Sequence, residues 1–346
     1  MLVLGRALLV FMLVAGMISV FGYMVYIQKP SCESSQLPVR KDPLQHPPVV
    51  SPSATTPVSA ERIRLRSIES TRPPPVISMT DRVRLACETF PELLQSQSFR
   101  EHGKAYKKLS HLLFSGVLRD IIYCSIPKVA NTSLKKLLLT LDERHDGRYT
   151  EATLHDYVKT ALALPVLLRQ GKTSMSRAES ALKVMFVRHP FERLVSFFQD
   201  KGRRGTRTGN YYYQTRWNNL MKLLRGPQNV DTSRSVLAFQ EFVHLLLETD
   251  PKRYDLHWQL FSDRCVPCTV NYDMVGTFDD LPGFFRLFGR DYTDWENKGP
   301  SNTTNDTLYH FSRLSRSTVM RLYRIYLKDF LLFGYSVEPY LNVAQP

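Results

Sequence analysis

Several things are scarce or missing in this chain, and each removes a class of protein. No apolar strand runs into a Gly-rich loop ending in Gly-Lys-Ser/Thr. That excludes a Walker-type nucleotide loop and argues against a P-loop kinase or NTPase. Asp273-Met274-Val275-Gly276 mimics one nucleotidase motif but has no companion loop. Cysteine is limited to five residues: Cys32, Cys87, Cys124, Cys265 and Cys268. The single CxxC pair has no second pair or close His pair beside it, so a zinc site would be two ligands short and no metal is expected. Cys265 and Cys268 remain open as a zinc half-site, a redox pair or part of a disulfide framework. No segment repeats at a solenoid period. Acidic side chains are also in deficit: 32 against 46 basic ones, for a net charge of +14. Such an excess implies an anionic partner, whether nucleic acid, an acidic membrane or an acidic polysaccharide.

What is present is ordered along the chain. Residues 7–27 carry no charged side chain and are long enough to cross a bilayer core of ~30 Å at ~1.5 Å per residue. The apolar region of a cleaved signal peptide is shorter, about 7–15 residues, so an uncleaved anchor is expected after a tail of residues 1–6. Arg6 precedes the span, and Lys29, Arg40 and Lys41 follow it, so charge alone specifies the orientation weakly. Residues 28–80 are punctuated by proline, including Pro73-Pro74-Pro75, and are rich in Ser and Thr. They read as a disordered, extended stem. Cys32 in that stem is a candidate link between two copies.

Residues 81–346 read as the folded domain, opening on a helix capped near Thr80-Asp81. Residues 142–176 are expected to be mostly helical, with interruptions at Gly147 and Pro165. Amphipathic helices are expected over 235–248 and 317–333. Short apolar strands alternate with these helices. The fold class is therefore α/β, a central parallel sheet flanked by helices, with ligands expected at the carboxyl ends of the strands.

Two strand-to-helix junctions carry the chemistry. Ile121, Ile122, Tyr123 and Cys124 form a buried-strand pattern, with Cys124 expected as a buried thiol. Leu134, Leu137, Leu138 and Leu141 recur at helical spacing. Pro127, Lys128, Val129, Ala130, Asn131, Thr132 and Ser133 lie between. Free N–H groups and the positive end of a helix dipole meet there, which suits phosphate or sulfate. Lys128 adds charge; Thr132 and Ser133 add hydroxyl donors. The second junction follows the apolar strand 184–187 and reads Arg188, His189, Pro190, Phe191, Glu192, Arg193, Leu194, Val195, Ser196. Pro190 suits the first helical position, and the Arg188 guanidinium can fork two hydrogen bonds onto a second phosphate. Glu192 and Arg193 read as a local ion pair.

These two junctions resemble the signatures that bind 3′-phosphoadenosine 5′-phosphosulfate in sulfotransferases. PKVANTSLKK is similar to the 5′-phosphosulfate loop and RHPFERLVS to the 3′-phosphate motif. With HWQLFSDRCVPC at 257–268, YDMVG at 272–276 and YLKDFLLFGYS at 326–336, the chain resembles the Golgi carbohydrate sulfotransferases of the chondroitin/dermatan 4-O and sulfoglucuronyl-epitope group, over roughly residues 82–341. Leu134 departs from that group, which commonly has an aromatic residue there, and leaves the subfamily open. The resemblance implies a P-loop-like sulfotransferase fold, the phosphosulfate nucleotide as donor, an acidic glycan acceptor and no nucleic acid. It also implies a single-pass type II Golgi membrane protein with its catalytic domain in the lumen. The sequons Asn302-Thr303-Thr304 and Asn305-Asp306-Thr307 agree with a luminal domain; Asn131-Thr132-Ser133 lies inside the loop and is expected to be unavailable.

Under this reading Lys128 stabilises the leaving phosphate, and a histidine takes the acceptor proton. His145, His155, His189, His244 and His257 are the candidates. His155 is preferred because a related glycosaminoglycan sulfotransferase group carries its base at about that position; His257 is second. Lys201, Arg203, Arg204 and Arg207, followed by Tyr211, Tyr212 and Tyr213, form a candidate basic and aromatic acceptor groove. The alternative of another class is a glycan-binding membrane protein without activity, against which the retained Lys128, Arg188 and Ser196 argue.

Overall fold

The computed structural model describes residues 77–94, 109–116, 119–142, 149–150, 153–202, 211–292 and 303–346. The expected membrane anchor, nearly all of the stem, His145 and Arg203, Arg204 and Arg207 lie outside the described residues. Among the described residues no helix is long and apolar enough to cross a membrane.

Four strands form one sheet in the order β1 (Leu112–Ser115), β2 (Ile121–Cys124), β3 (Leu182–Phe186) and β4 (Met274–Gly276). Every residue of β1 and β2 is buried, as expected for strands without an alternating pattern. β2, β3 and β4 are parallel, with Ile121 opposite Leu182 and Val184 opposite Met274. β1 corrects the all-parallel expectation: it runs antiparallel to β2, Leu112 facing Cys124. Five residues, 116–120, separate the two strands, few enough to reverse the chain without a crossover helix. Gly276 ends β4 where a Cβ would stand 2.7 Å from the Phe186 ring.

The chain passes from β2 to β3 through helices Asn131–Thr140, Leu154–Ala161, Leu164–Leu168 and Lys172–Ser180. Pro165 therefore sits inside the first turn of a short helix, which it tolerates because the N–H it lacks would have no helical partner. The N-terminal helix is Met79–Thr89, capped by Ser78 rather than by Thr80 or Asp81. Thr80 is freed to accept the backbone N–H of Val275 in β4.

A second apolar core, aromatic-rich, gathers helices Pro190–Phe197, Tyr211–Arg225, Phe239–Glu248 and Arg316–Phe333. The last two match the expected amphipathic spans except that the first begins four residues late, after Ala238, where the Glu241 carboxylate accepts the Ala238 N–H. Helix Arg316–Phe333 closes on Gly334 at φ 65°, a conformation that costs glycine little.

Two disulfides are formed: Cys124–Cys265 ties β2 to helix Phe261–Cys265, and Cys87–Cys268 ties the N-terminal helix to helix Pro267–Val270. Cys124 is buried as expected but is not a free thiol. The CxxC pair is split between the two bridges, which resolves its three readings in favour of a disulfide framework.

Candidate active site

Because β2 and β3 are parallel neighbours, the loops leaving their carboxyl ends emerge side by side. The first loop bends through two left-handed residues that are not glycine, Lys128 at φ 71° and Ala130 at φ 58°. Such conformations are uncommon for residues with a side chain and concentrate at functional sites. Asn131 opens the helix and its Oδ1 accepts from both Tyr123 Oη (3.0 Å) and Ser125 Oγ (3.1 Å), pinning the first turn to the strand. That also buries the third sequon. Ala130 supplies no side-chain cap, so the first-turn N–H groups are left for a ligand. Ser133 Oγ is buried and has no hydrogen-bond partner among the described residues. An orphaned hydroxyl beside uncapped amides fits an anionic ligand.

Lys128 Nζ lies 2.9 Å from Asp200 Oδ2. Burial pulls the Lys128 ammonium below the ordinary lysine range, Asp200 opposes that, and the charges of Lys201 and Arg188 add to the lowering. Lys128, Lys201 and Arg188 thus share one field. Asp200 belongs to a π-helical turn, Phe198–Gly202, that continues helix Pro190–Phe197. In the sequence Asp200 is an acid outside any motif.

In the second loop Arg188 is 8% exposed. Its Nε lies 3.3 Å from Glu192 Oε2, and its guanidinium sits 5.4 Å from the centre of the Phe278 ring. Glu192 also accepts from Thr304 Oγ1 at 3.1 Å. The expected Glu192–Arg193 ion pair is therefore corrected: Glu192 pairs with Arg188, one helical turn earlier. Arg193 turns the other way, is 2% exposed, and donates to the carbonyls of Pro127 (3.1 Å), Gln259 (2.6 Å) and Leu256 (3.0 Å). It fastens the first loop from behind. His189 caps the helix through Nδ1, which accepts the Phe191 N–H, and its Nε2 donates to the Ser336 carbonyl. Burial holds the ring neutral, down to about 4. Phe191, Leu194 and Val195 are in the second core. Pro190 is the first residue of the helix, and Ser196, half-buried, lies in its last turn.

His155 and His257 both reach this region. His155 lies in the first turn of helix Leu154–Ala161, with Nδ1 3.0 Å from Lys135 Nζ. Burial lowers it to about 4, helped by Lys135, Lys201 and His257. His257 lies in the loop before helix Phe261–Cys265, hydrogen-bonded to Asp255. His244 is exposed on helix Phe239–Glu248. In the expected acceptor groove, Tyr211 and Tyr212 are exposed, whereas Tyr213 is buried in the second core with its hydroxyl on Asp255. Tyr213 therefore offers no face to a sugar. Among the described residues no cluster of His, Cys, Asp and Glu is arranged to hold a metal ion.

Parallel strands deliver two cationic loops to one edge, each at a helix start, an arrangement whose charge and donors suit a ligand with two anionic ends. The family model described as the sulfotransferase family matches residues 110–336, which contains both loops, and the chain belongs to that family. Carbohydrate sulfotransferase 11 of Rattus norvegicus is 31% identical over 249 residues, 65% of this chain and 67% of the relative. Carbohydrate sulfotransferase 8 of Mus musculus is 32% identical over 62% of this chain and 54% of its own length. Carbohydrate sulfotransferase 10 of Xenopus laevis is 29% identical over 68% of this chain and 73% of its own. The match thus spans between about half and three quarters of these relatives. No solved structure matches the chain.

Proposed function

We propose that this chain transfers a sulfuryl group from 3′-phosphoadenosine 5′-phosphosulfate to a hydroxyl of an acidic glycan, with the 4-hydroxyl of N-acetylgalactosamine in chondroitin or dermatan as the first acceptor to test. Glucuronic acid, or N-acetylgalactosamine on glycoprotein glycans, is the alternative acceptor. The observation that carries the reading is the adjacency of the Lys128 and Arg188 loops on parallel strands, inside a region that matches the sulfotransferase family. Lys128, Thr132, Ser133 and the loop N–H groups from Lys128 through Asn131 bind the phosphosulfate end, with Pro127 shaping the turn before them. Arg188 and Ser196 bind the 3′-phosphate, while His189, Pro190, Phe191, Arg193, Leu194 and Val195 hold the backbone that presents them. Glu192 keeps Arg188 oriented until the ligand replaces it.

The donor supplies an activated sulfur–oxygen bond. Lys128 places its ammonium where charge develops on the departing phosphate. Either His155 or His257 accepts the acceptor proton. The net charge of +14 and the similarity to carbohydrate sulfotransferases support an acidic glycan as acceptor. The charge-free span at 7–27 supports a type II Golgi membrane protein.

The test is twofold. Adenosine 3′,5′-bisphosphate should raise the Tm of the protein and ATP with Mg²⁺ should not. Radiolabelled sulfate should move from the donor to one member of a panel of desulfated polysaccharides. A Tm that responds to neither nucleotide, together with no transfer to any polysaccharide, refutes the reading.

A further inference from the structure

Two histidines lie within the field of Lys201, and their hydrogen bonds separate them. Lys135, on the helix that opens at Asn131, is buried against His155. Burial lowers Lys135 only to about 8, so at neutral pH it still carries its proton and donates to His155 Nδ1. The ring proton of neutral His155 is then on Nε2, and neither nitrogen has a lone pair to offer.

His257 is arranged the other way round. Asp255 Oδ1 lies 2.7 Å from His257 Nδ1 and also accepts the His257 backbone N–H at 2.9 Å. Tyr213 Oη approaches both carboxylate oxygens, at 3.2 and 3.1 Å, and lies 2.8 Å from Nδ1. A carboxylate at this position keeps the ring proton on Nδ1 and leaves the lone pair on Nε2. Nε2 has no hydrogen-bond partner among the described residues. The loop itself is rigid: Arg193 binds the carbonyls of Leu256 and Gln259 on either side of His257 and the carbonyl of Pro127 in the anion loop.

We propose that His257 is the general base of the transfer, with Asp255 as the residue that fixes its tautomer and Tyr213 as the residue that fixes Asp255. This rests on the donor reading above. As Nε2 takes the proton of the acceptor hydroxyl, the acceptor oxygen bonds to sulfur. The bond from sulfur to the bridging phosphate oxygen breaks, and its electron pair stays on the phosphate beside Lys128. Solvent then removes the proton from the imidazolium. The charged and titratable groups facing His257 are Asp255 in its own loop, Tyr213 on helix Tyr211–Arg225, Lys201 on the π-turn, Lys128 in the anion loop and His155 on helix Leu154–Ala161. Burial lowers the ring's pKa, Asp255 opposes this, and Lys201 and Lys128 add to the lowering, which leaves the ring neutral and able to accept.

The full chain in detergent, labelled with ¹⁵N-histidine, gives the first readout, because nitrogen shifts report tautomers and need no acceptor. The signal lost in His257→Gln should be the Nδ1–H tautomer at pH 7, and the one lost in His155→Gln the Nε2–H tautomer. The second readout is kinetic, with desulfated chondroitin as the acceptor. His257→Gln should lower kcat by roughly 10²–10⁴-fold and remove the acid limb of the kcat/KM profile. Asp255→Asn should move that limb to lower pH, because the carboxylate that raises the ring's pKa is gone. His155→Gln should keep the limb. Calorimetry with adenosine 3′,5′-bisphosphate runs beside each variant to report an intact donor site. An Nε2–H or charged His257 at pH 7 overturns the assignment, as does an acid limb that survives His257→Gln and disappears with His155→Gln. Failure of the wild-type protein to bind the bisphosphate overturns the donor reading as well; binding retained while the wrong histidine responds overturns this assignment alone.

Discussion

Truncating Arg193 probes the joint between the anion loop and the His257 loop. Its three nitrogens are spent on three backbone carbonyls, and its guanidinium carbon stands 4.6 Å from the centre of the Phe261 ring. Burial pulls the group down to about 10, so the folded chain bears a cost for keeping it charged. Arg193→Ala strands three carbonyls away from water at ~1–3 kcal/mol each, while relief of the buried charge returns part of that. The expected net loss is about 3–5 kcal/mol, in the range for removing one partner of a buried charged network. At ~2–4 °C per kcal/mol for a domain of this size, Tm falls by roughly 6–20 °C. Arg193→Lys keeps the charge but lacks the fork, so it recovers about one of the three bonds and falls between the two. Thermal unfolding measures the loss, and bisphosphate calorimetry on the folded fraction measures the consequence for the loop, since Pro127 is released. If both variants melt within about 2 °C of wild type, the clamp contributes nothing and the argument is wrong.

Four further outcomes follow from the same geometry. Lys128→Ala should cost at least one to two decades in kcat, because a charge-assisted hydrogen bond of ~1.5–3 kcal/mol is lost from the developing charge; an unchanged kcat removes Lys128 from the chemistry. Asp200→Asn should tighten bisphosphate binding about 2–5-fold, because the part-exposed ion pair it breaks is worth only ~0.5–1 kcal/mol; weaker binding would mean that Asp200 supports the ligand instead of competing with it. Reduction of Cys124–Cys265 and Cys87–Cys268, which close loops of 141 and 181 residues, should destabilise by ~2–5 kcal/mol per bridge, seen as a lower Tm in dithiothreitol; an identical Tm refutes it. Acid should also destabilise the fold. His111 and His189 are held by burial near about 4 against an ordinary 6.5, so below pH 6.5 the unfolded chain takes up protons that the folded chain refuses. Each therefore costs up to ~2 kcal/mol by pH 5. Asp329, raised by burial to about 6, works in the opposite sense between pH 4 and 6 and offsets part of this. A Tm that does not fall between pH 7 and pH 5 contradicts the sign.

The parts of the site that are contiguous in sequence were the parts that could be read from it. The run from Ile121 to Leu141 spells strand, turn and helix because burial and helical spacing leave a local pattern, and the structure puts the elements at Ile121–Cys124 and Asn131–Thr140. The Arg188 junction was legible for the same reason. What escaped was tertiary. Asp200 is an ordinary acid in sequence and becomes the partner of Lys128 only because a π-turn swings it back over the loop. Arg193 and Glu192 are adjacent and of opposite sign, so a local pair was the natural expectation, yet helical geometry puts them on different faces and puts Glu192 one turn from Arg188. The disulfide partners of Cys124 and Cys265 are 141 residues apart, and no spacing rule reaches that far. β1 escaped because three apolar residues and a serine without a crossover helix carry no signal of which neighbour they join.

Both cations that face the anion sites already have an acid beside them, Lys128 with Asp200 and Arg188 with Glu192. Lys201 and Arg188 both depress Lys128, so without those carboxylates the loops would repel before any ligand arrived. The acids hold the cations charged and in place, and a dianionic ligand end offers a stronger partner that displaces them. Binding is then an exchange of ion pairs in which the site's net charge changes by the ligand's charge alone. This favours ligands with more than one negative charge at each end, because a single carboxylate gains nothing over the aspartate or glutamate it replaces. A nucleotide carrying phosphate groups at both ends satisfies that condition, and a nucleoside monophosphate satisfies it at one loop only. Adenosine 3′,5′-bisphosphate should therefore bind much more tightly than adenosine 5′-monophosphate, and Glu192→Gln should widen the gap, because removing the carboxylate that competes for Arg188 helps only the ligand with a 3′-phosphate. Titrating both nucleotides against the wild-type and Glu192→Gln proteins at two salt concentrations measures this. Equal affinities for the two nucleotides would mean that only one loop binds phosphate, and the exchange argument would fail at the other.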